Sequence, residues 1–347
     1  MTSRGRVAVV TGGTAGVGRA TVRELVRHGY DIGVVARGEE GLDATMAEVR
    51  EAGCRALGLS VDVADAAAVE RAADRFEAEL GPIDVWVNNA FVGSIAFFDA
   101  VRPEEFQRIT EVTYLGQVNG TRAALKYMTQ RNRGSIVQVS SALAYQGIPL
   151  QSAYCGAKHA VVGFSESVRV ELKHRGSKVR LSLVALPAVN TPQFDWVLHR
   201  GIRHHPQPVP PIYQPEVAAR AVVHVAEHPR RSLWVGGSTV ATILGNRLAP
   251  ALVEWYLART NVRAQQAPEH DPPGDRTNIW HAVPEDPGAH GVFGEVSHRH
   301  SATLALSLHR RALAVGAAGA VSAVAGVAGA AAGRRHRRPH YQRMARH

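Results

Sequence analysis

Cysteine is nearly absent: Cys54 and Cys155 are the only two in 347 residues. That excludes a disulfide-stapled scaffold and fits a reducing compartment. Lysine is almost as scarce, at four residues, so a lysine that falls inside a chemical pattern is informative. Acidic residues stop at Glu295, while Arg334, Arg335, Arg337, Arg338, Arg343 and Arg346 supply six of the charges behind a formal +10. The basic excess therefore belongs to the tail and says little about the ligand of the main domain. No RNA- or DNA-binding module accompanies this arginine cluster, so nucleic acid is not an expected partner. No long apolar leader comes before the first strand-like run in MTSRGRVAVVTGG, and a cytoplasmic location is expected. No ligand set at recognisable spacing completes a metal site around His204 and His205, which read as solvated. What is present, 45% hydrophobic and 20% charged residues, is the composition of a folded globular protein with a sizeable core.

Apolar runs of strand length at 6–10, 31–36, 56–61, 85–88, 135–139, 179–185 and 233–235 alternate with helix-length periodic segments. That alternation predicts an α/β fold, a doubly wound parallel sheet of Rossmann-like type with helices on both faces, over roughly residues 5–240. The unbroken apolar character of VAVV, IGVV and VRLSLVAL suits strands buried on both faces. Residues 239–259 read as helical, with Pro250 starting or kinking a second helix. The catalytic domain is thus placed at 1–260, a Pro/Gly/His-rich linker with partial disorder at 261–300, and an Ala/Gly-rich helix with a basic tail at 301–347. Residues 312–333 carry no charge over 22 positions, long enough to cross a bilayer. Their Ala/Gly composition makes insertion marginal, so a membrane-associated segment and a low-complexity tail both stay open.

Three patterns carry chemistry. Tyr154 and Lys158 stand four apart, and Ser141 ends a strand-like run 13 residues before the tyrosine. A helix puts i and i+4 on one face, so the Lys158 ammonium is expected to lower the Tyr154 pKa towards neutrality and make the phenol a general acid or base. Second, Thr11 to Gly18, TGGTAGVG, lies between a strand and a helix. Its Gly12, Thr14, Gly16, Val17 and Gly18 suit a tight turn, close backbone approach and a pyrophosphate at the helix N-terminus. Third, the second strand ends in neutral Ala36 followed by Arg37. An arginine without the usual acid favours a 2'-phosphate, hence NADP(H) over NAD(H).

In this order, TGxxxGxG, Asn88-Asn89-Ala90, Ser141 and Tyr154 to Lys158, the sequence resembles the short-chain dehydrogenase/reductase family. The resemblance implies that Asp62 and Val63 border an adenine, that Asn88 and Ala90 line the cofactor cleft, and that Pro187, Val189 and Thr191 approach the nicotinamide amide. It also implies that Lys158 holds the nicotinamide ribose and that Ser141 orients a substrate oxygen. Thr113 stands where the family usually has an Asn that helps a proton relay, 28 residues before Ser141. Phe91 and Ala188 replace common glycines and are expected to reshape the cleft. The implied activity is interconversion of a carbonyl and an alcohol, a small-molecule reaction with Tyr154 as the acid/base. An apolar lid from Phe194, Trp196, Val197, Leu198 and Ile202 favours a lipophilic substrate. A non-catalytic NADP-binding module and an epimerase or dehydratase are the alternatives. Helices at 104–127 and 152–175 resemble those through which relatives form homo-oligomers.

Overall fold

The computed structural model describes residues 5–270, 273–274 and 276–309. Seven strands form its sheet: β1 Arg6–Thr11, β2 Tyr30–Ala36, β3 Ala56–Ser60, β4 Ile83–Asn88, β5 Ser135–Ser141, β6 Arg180–Leu186 and β7 Ser232–Trp234. All pair in parallel, in the order β7-β6-β5-β4-β1-β2-β3. Every residue of β2 is buried, as its continuous apolar run predicts for a strand covered on both faces. The chain runs outward from β1 to β3, returns to β4 on the far side of β1, and then runs outward again. That reversal opens a crevice beyond the C-terminal ends of β1 and β4, the place where open α/β sheets bind ligands.

Helices α1 Gly16–Arg27, α2 Glu39–Glu51, α3 Ala66–Glu79, α4 Pro103–Thr110, α5 Gly116–Arg131, α6 Ser152–His174 and α7 Pro215–Glu227 connect the strands. Local sequence sets their ends. Asp65 caps α3 by accepting from the Ala68 N–H at 2.9 Å. Pro103 opens α4, and the Glu105 carboxylate accepts from the Arg102 N–H at 2.9 Å. The single helix expected over 104–127 is divided, because residues 111–115 form one π-helical turn between α4 and α5.

Two further helices, α8 Gly237–Leu248 and α9 Pro250–Ala264, follow β7, with Pro250 at the first position of the second. The stretch after α9, expected as a partly disordered linker, folds back onto the sheet. Ile279, Ala289 and Phe293 are buried, the Gly288 carbonyl accepts from the Gly16 N–H at 3.0 Å, and the Phe293 N–H donates to Asn190 Oδ1 at 3.0 Å. Part of its polar backbone is satisfied by groups far away in sequence, and its first residues, Gln266–Ala267, pair as a short antiparallel strand with His205–Pro206. The described residues up to Leu304 make one compact unit. Helix α10, Ala302–Leu308, is the last element described. The expectations for 312–333 and for the arginine cluster fall outside the described residues. Among the described residues, no helix is long and apolar enough to cross a membrane.

Candidate active site

A cleft of about 730 Å³ occupies the crevice over β1 and β4. Its floor is the glycine-rich turn between β1 and α1. Gly16 takes φ +51, a left-handed conformation that suits glycine. A Cβ on Gly12 would come within 2.8 Å of the Ala90 backbone, and one on Gly18 would fall on the Gly12 carbonyl oxygen. The turn is therefore closed by backbone against backbone. Asn89 locks it, its Nδ2 donating to the carbonyls of Thr11 at 3.2 Å and Gly12 at 3.0 Å. Gly12, Thr14, Gly16 and Val17 line the cleft, while Gly18 supports the turn from beneath.

Strand alternation corrects one expectation. Asn88 points away from the cleft: it is fully buried, accepts from the Trp86 indole N–H at 2.8 Å and donates to Thr121 Oγ1 at 3.1 Å. Its neighbours Asn89 and Ala90 line the cleft instead, as does Phe91. Asp62, Val63, Pro187, Val189 and Thr191 all reach it.

Ser141, at the end of β5, and Tyr154 and Lys158, on the first turns of α6, meet on one wall. The Ser141 hydroxyl, which accepts from the Leu143 N–H at 3.1 Å, faces the phenol of Tyr154 and acts to lower its pKa. Lys158 is 1% exposed, and its Nζ sits 5.6 Å from the ring centroids of both Tyr154 and Phe91 while donating to the Val139 carbonyl at 2.9 Å. Gln117 Nε2 donates to the same carbonyl at 3.0 Å. The lowered phenol pKa expected from the i, i+4 spacing is not what this geometry gives. Burial pushes the Tyr154 phenol above its ordinary range, opposed by the Ser141 hydroxyl. Burial also brings Lys158 down to about 7, so in this cleft the desolvation of the phenol outweighs the pull of the lysine on it. Spacing placed the pair correctly, whereas the sign of the shift follows from burial. Phe91 edges onto Tyr154 with centroids 5.7 Å apart, which restricts the phenol to one side of the cleft.

Thr113 is brought near the site but not into it. Its hydroxyl donates to the Val92 carbonyl at 2.7 Å and accepts from the Val92 N–H at 3.0 Å, and its side chain is fully buried. Both of its polar capacities are used in holding the backbone that follows Phe91.

At the far end of the cleft, Arg37 donates through Nη1 to the carbonyls of Ile279 at 3.2 Å and Trp280 at 3.1 Å, and through Nη2 to that of Asn278. Arg108 donates to the Ile279 carbonyl at 3.1 Å and pairs with Asp62. Asn278, Ala282, Val283, Glu285 and Pro287 complete this end. Apolar periodicity does not flag them, and the charge run in PEDP alone could have drawn attention to the segment. Next to this segment, the Asn278 N–H donating to the Trp196 carbonyl at 3.2 Å, Phe194, Trp196 and Val197 of the lid line the cleft and are buried, whereas Leu198 packs into the core. Ile202 packs beside Val197. His205, expected in solvent, is 7% exposed, its two ring nitrogens facing Asp195 Oδ1 at 3.0 Å and the Pro206 carbonyl at 2.6 Å. Among the described residues no group of His, Cys, Asp and Glu could hold a metal.

The profile of a family described as short chain dehydrogenase matches residues 6–198. An uncharacterized oxidoreductase of Bacillus subtilis, YxnA, is 31% identical over 279 residues, 80% of this chain and 78% of its own. A short chain dehydrogenase from Mycobacterium paratuberculosis bound to NAD superposes with a TM-score of 0.59 at 25% identity, over 68% of this chain and 98% of its own. A metagenomic short-chain oxidoreductase in complex with NADP gives 0.55 at 28% identity, over 66% and 95%.

Proposed function

The chain belongs to the short-chain dehydrogenase/reductase family, and from that premise we propose that it interconverts a lipophilic carbonyl and its alcohol using NADP(H). The observation that carries the reading is the meeting of Ser141, Tyr154 and Lys158 on one wall of a cleft whose floor is a glycine-rich helix N-terminus. The cleft's volume and glycine cradle fit a dinucleotide: Gly12, Thr14, Gly16 and Val17 would hold its diphosphate, Asp62 and Val63 its adenine, and Pro187, Val189 and Thr191 its nicotinamide amide. Bound there, the nicotinamide would supply or accept the hydride.

The remaining work falls to the chain's own groups. Ser141 holds the substrate oxygen in line with Tyr154 Oη. The raised phenol pKa keeps Tyr154 protonated at neutral pH, so in the reducing direction it gives its proton to the developing alkoxide. Lys158 steadies the resulting tyrosinate and binds ribose hydroxyls. Phe91, Trp196 and Val197 exclude water from this end and favour an apolar substrate. Tyr154→Phe keeps the ring and loses the proton. It should bind NADPH with unchanged affinity in a fluorescence titration and turn over at least about 100-fold more slowly. Full activity in that variant would overturn the assignment.

Preference for NADP(H) is supported by the residue types that end β2, Ala36 and then Arg37 where an acid would favour NAD(H); the Arg37 guanidinium, which here holds the carbonyls of Asn278, Ile279 and Trp280, would have to turn to a 2'-phosphate. Arg37→Asp also frees the carbonyls of 278–280 and should weaken both cofactors, but kcat/KM for NADPH should fall about tenfold or more further than that for NADH. An unchanged ratio would remove the preference. Two free cysteines suit a cytoplasmic setting, and the outer faces of α4, α5 and α6 suit a homo-oligomer.

A further inference from the structure

Helix α9 has 15 residues and buries one of them, Asn261. Such a helix is normally polar all round, yet it presents Leu252 at 64% exposure, Trp255 at 53% and Tyr256 at 56%, and the end of α8 adds Leu244 at 42% and Leu248 at 84%. Leu252, Trp255, Tyr256, Arg259 and Arg263 recur at helical spacing and form one stripe. Its apolar end continues onto α8, which approaches so closely that a Cβ on Gly245 would lie 3.3 Å from Val253. Around the apolar patch stand Arg247, Arg259 and Arg263, all exposed, against a single acid, Glu254. The Arg259 guanidinium lies 4.2 Å over the Trp255 ring, so a cation and an indole share one edge of the patch.

The same helix borders the cleft. Tyr256, Leu257 and Thr260 line it, and Tyr256 is at once a cleft residue and a half-exposed surface residue.

We propose that the α8–α9 hairpin docks in the plane of an anionic lipid surface, with Leu248, Leu252 and Trp255 in the acyl boundary and Arg247, Arg259 and Arg263 on the headgroups. An interfacial helix combines an apolar stripe, flanking arginines and aromatic side chains at the boundary in this way. Charge decides between a bilayer and a second copy of the chain. Two such patches face to face would set three arginines against three with one Glu254 each to offset them, whereas anionic headgroups neutralise all three. The orientation turns the Tyr256 side of the cleft towards the lipid, so a carbonyl compound dissolved in the bilayer reaches the catalytic wall without crossing water. That last step rests on the oxidoreductase reading; the docking does not.

The test uses the full chain and vesicles of phosphatidylcholine with and without phosphatidylglycerol, carrying brominated acyl chains that quench nearby tryptophan. Of the five tryptophans, Trp255 alone lies on this surface stripe. We expect emission to be quenched on the anionic vesicles, less so at high salt, and the quenching to vanish in Trp255→Phe. A Leu248→Glu/Leu252→Glu variant, altered at two residues outside the cleft, should bind the vesicles at least about tenfold more weakly while turning over a water-soluble carbonyl as before. Vesicle capture without quenching of Trp255 would overturn the proposal and assign binding to the C-terminal arginines. Loss of a dimer in the double variant, seen by sedimentation without loss of lipid binding, would assign the patch to a second copy. Because quenching is read without turnover, absence of enzyme activity leaves the docking result intact.

Discussion

Thr113 shows how a residue that replaces a family signature can acquire a different task. Its single hydroxyl satisfies both the N–H and the carbonyl of Val92 in a fully buried setting. Thr113→Val keeps the shape and leaves two buried backbone groups unpaired, each at about 1–3 kcal/mol. The expected outcome is a lower urea midpoint with turnover per folded molecule reduced only mildly, and Thr113→Ser should restore the midpoint. A direct proton relay would give the reverse pattern, lost turnover at unchanged stability. The residue scale is also where the sequence was legible for identity but not for environment. TGGTAGVG, Ser141, Tyr154 and Lys158 announce themselves by type and spacing. Whether Asn88 or Asn89 faces the cleft depends on the pleat of β4, and whether Tyr154 rises or falls in pKa depends on burial that spacing does not encode.

Among the elements, the join between α4 and the lid rests on one carboxylate. Glu105 is 2% exposed; it accepts from the Arg102 backbone N–H at 2.9 Å and from both Nη atoms of Arg200 at 2.6 Å. Arg200 follows the short strand Leu198–His199, which pairs with Ser94–Ile95 beside the cleft. These partners, the Arg200 guanidinium foremost, hold the Glu105 carboxyl at about 2, below its ordinary 4.5. A carboxyl with a depressed folded pKa stabilises fully above the ordinary value, and the contribution is lost as pH falls from about 4.5 to about 2. Glu105→Gln should therefore cost about 3 kcal/mol at neutral pH, with a raised KM for the substrate as the lid loosens. The two melting curves should converge near pH 2. A gap that persists undiminished in acid would show that packing, not charge, joins these elements. The strands of the seven-stranded sheet were readable in the sequence because continuous apolar runs have one buried solution, whereas the two-residue strands at this join were not. The break of the long helix at 111–115 was not, since a π turn leaves helical periodicity almost intact.

Taken whole, the molecule closes one end of its cleft with a segment that begins more than two hundred residues after the strand it covers. Composition marked that segment as a linker because proline and glycine erase periodicity. It is held by guanidinium groups gripping its carbonyls and by a few buried side chains, and such long-range pairings leave no local pattern. Ile279 is the keystone: its side chain is fully buried and its carbonyl accepts from both Arg37 and Arg108. Ile279→Asp would place an unpaired carboxylate in an apolar site and should release the segment while leaving the seven-stranded sheet intact. Hydrogen exchange at the Gly16 N–H, now bonded to the Gly288 carbonyl, should accelerate, and protease should gain access within 276–290. Because Asn278, Val283 and Pro287 form a wall of the cleft, the dinucleotide should bind about tenfold more weakly. Nicotinamide mononucleotide, which lacks the adenosine half, should lose less. Tighter dinucleotide binding in the variant would mean that the segment acts as a plug over the glycine-rich turn, with Gly288 competing for a donor the diphosphate needs.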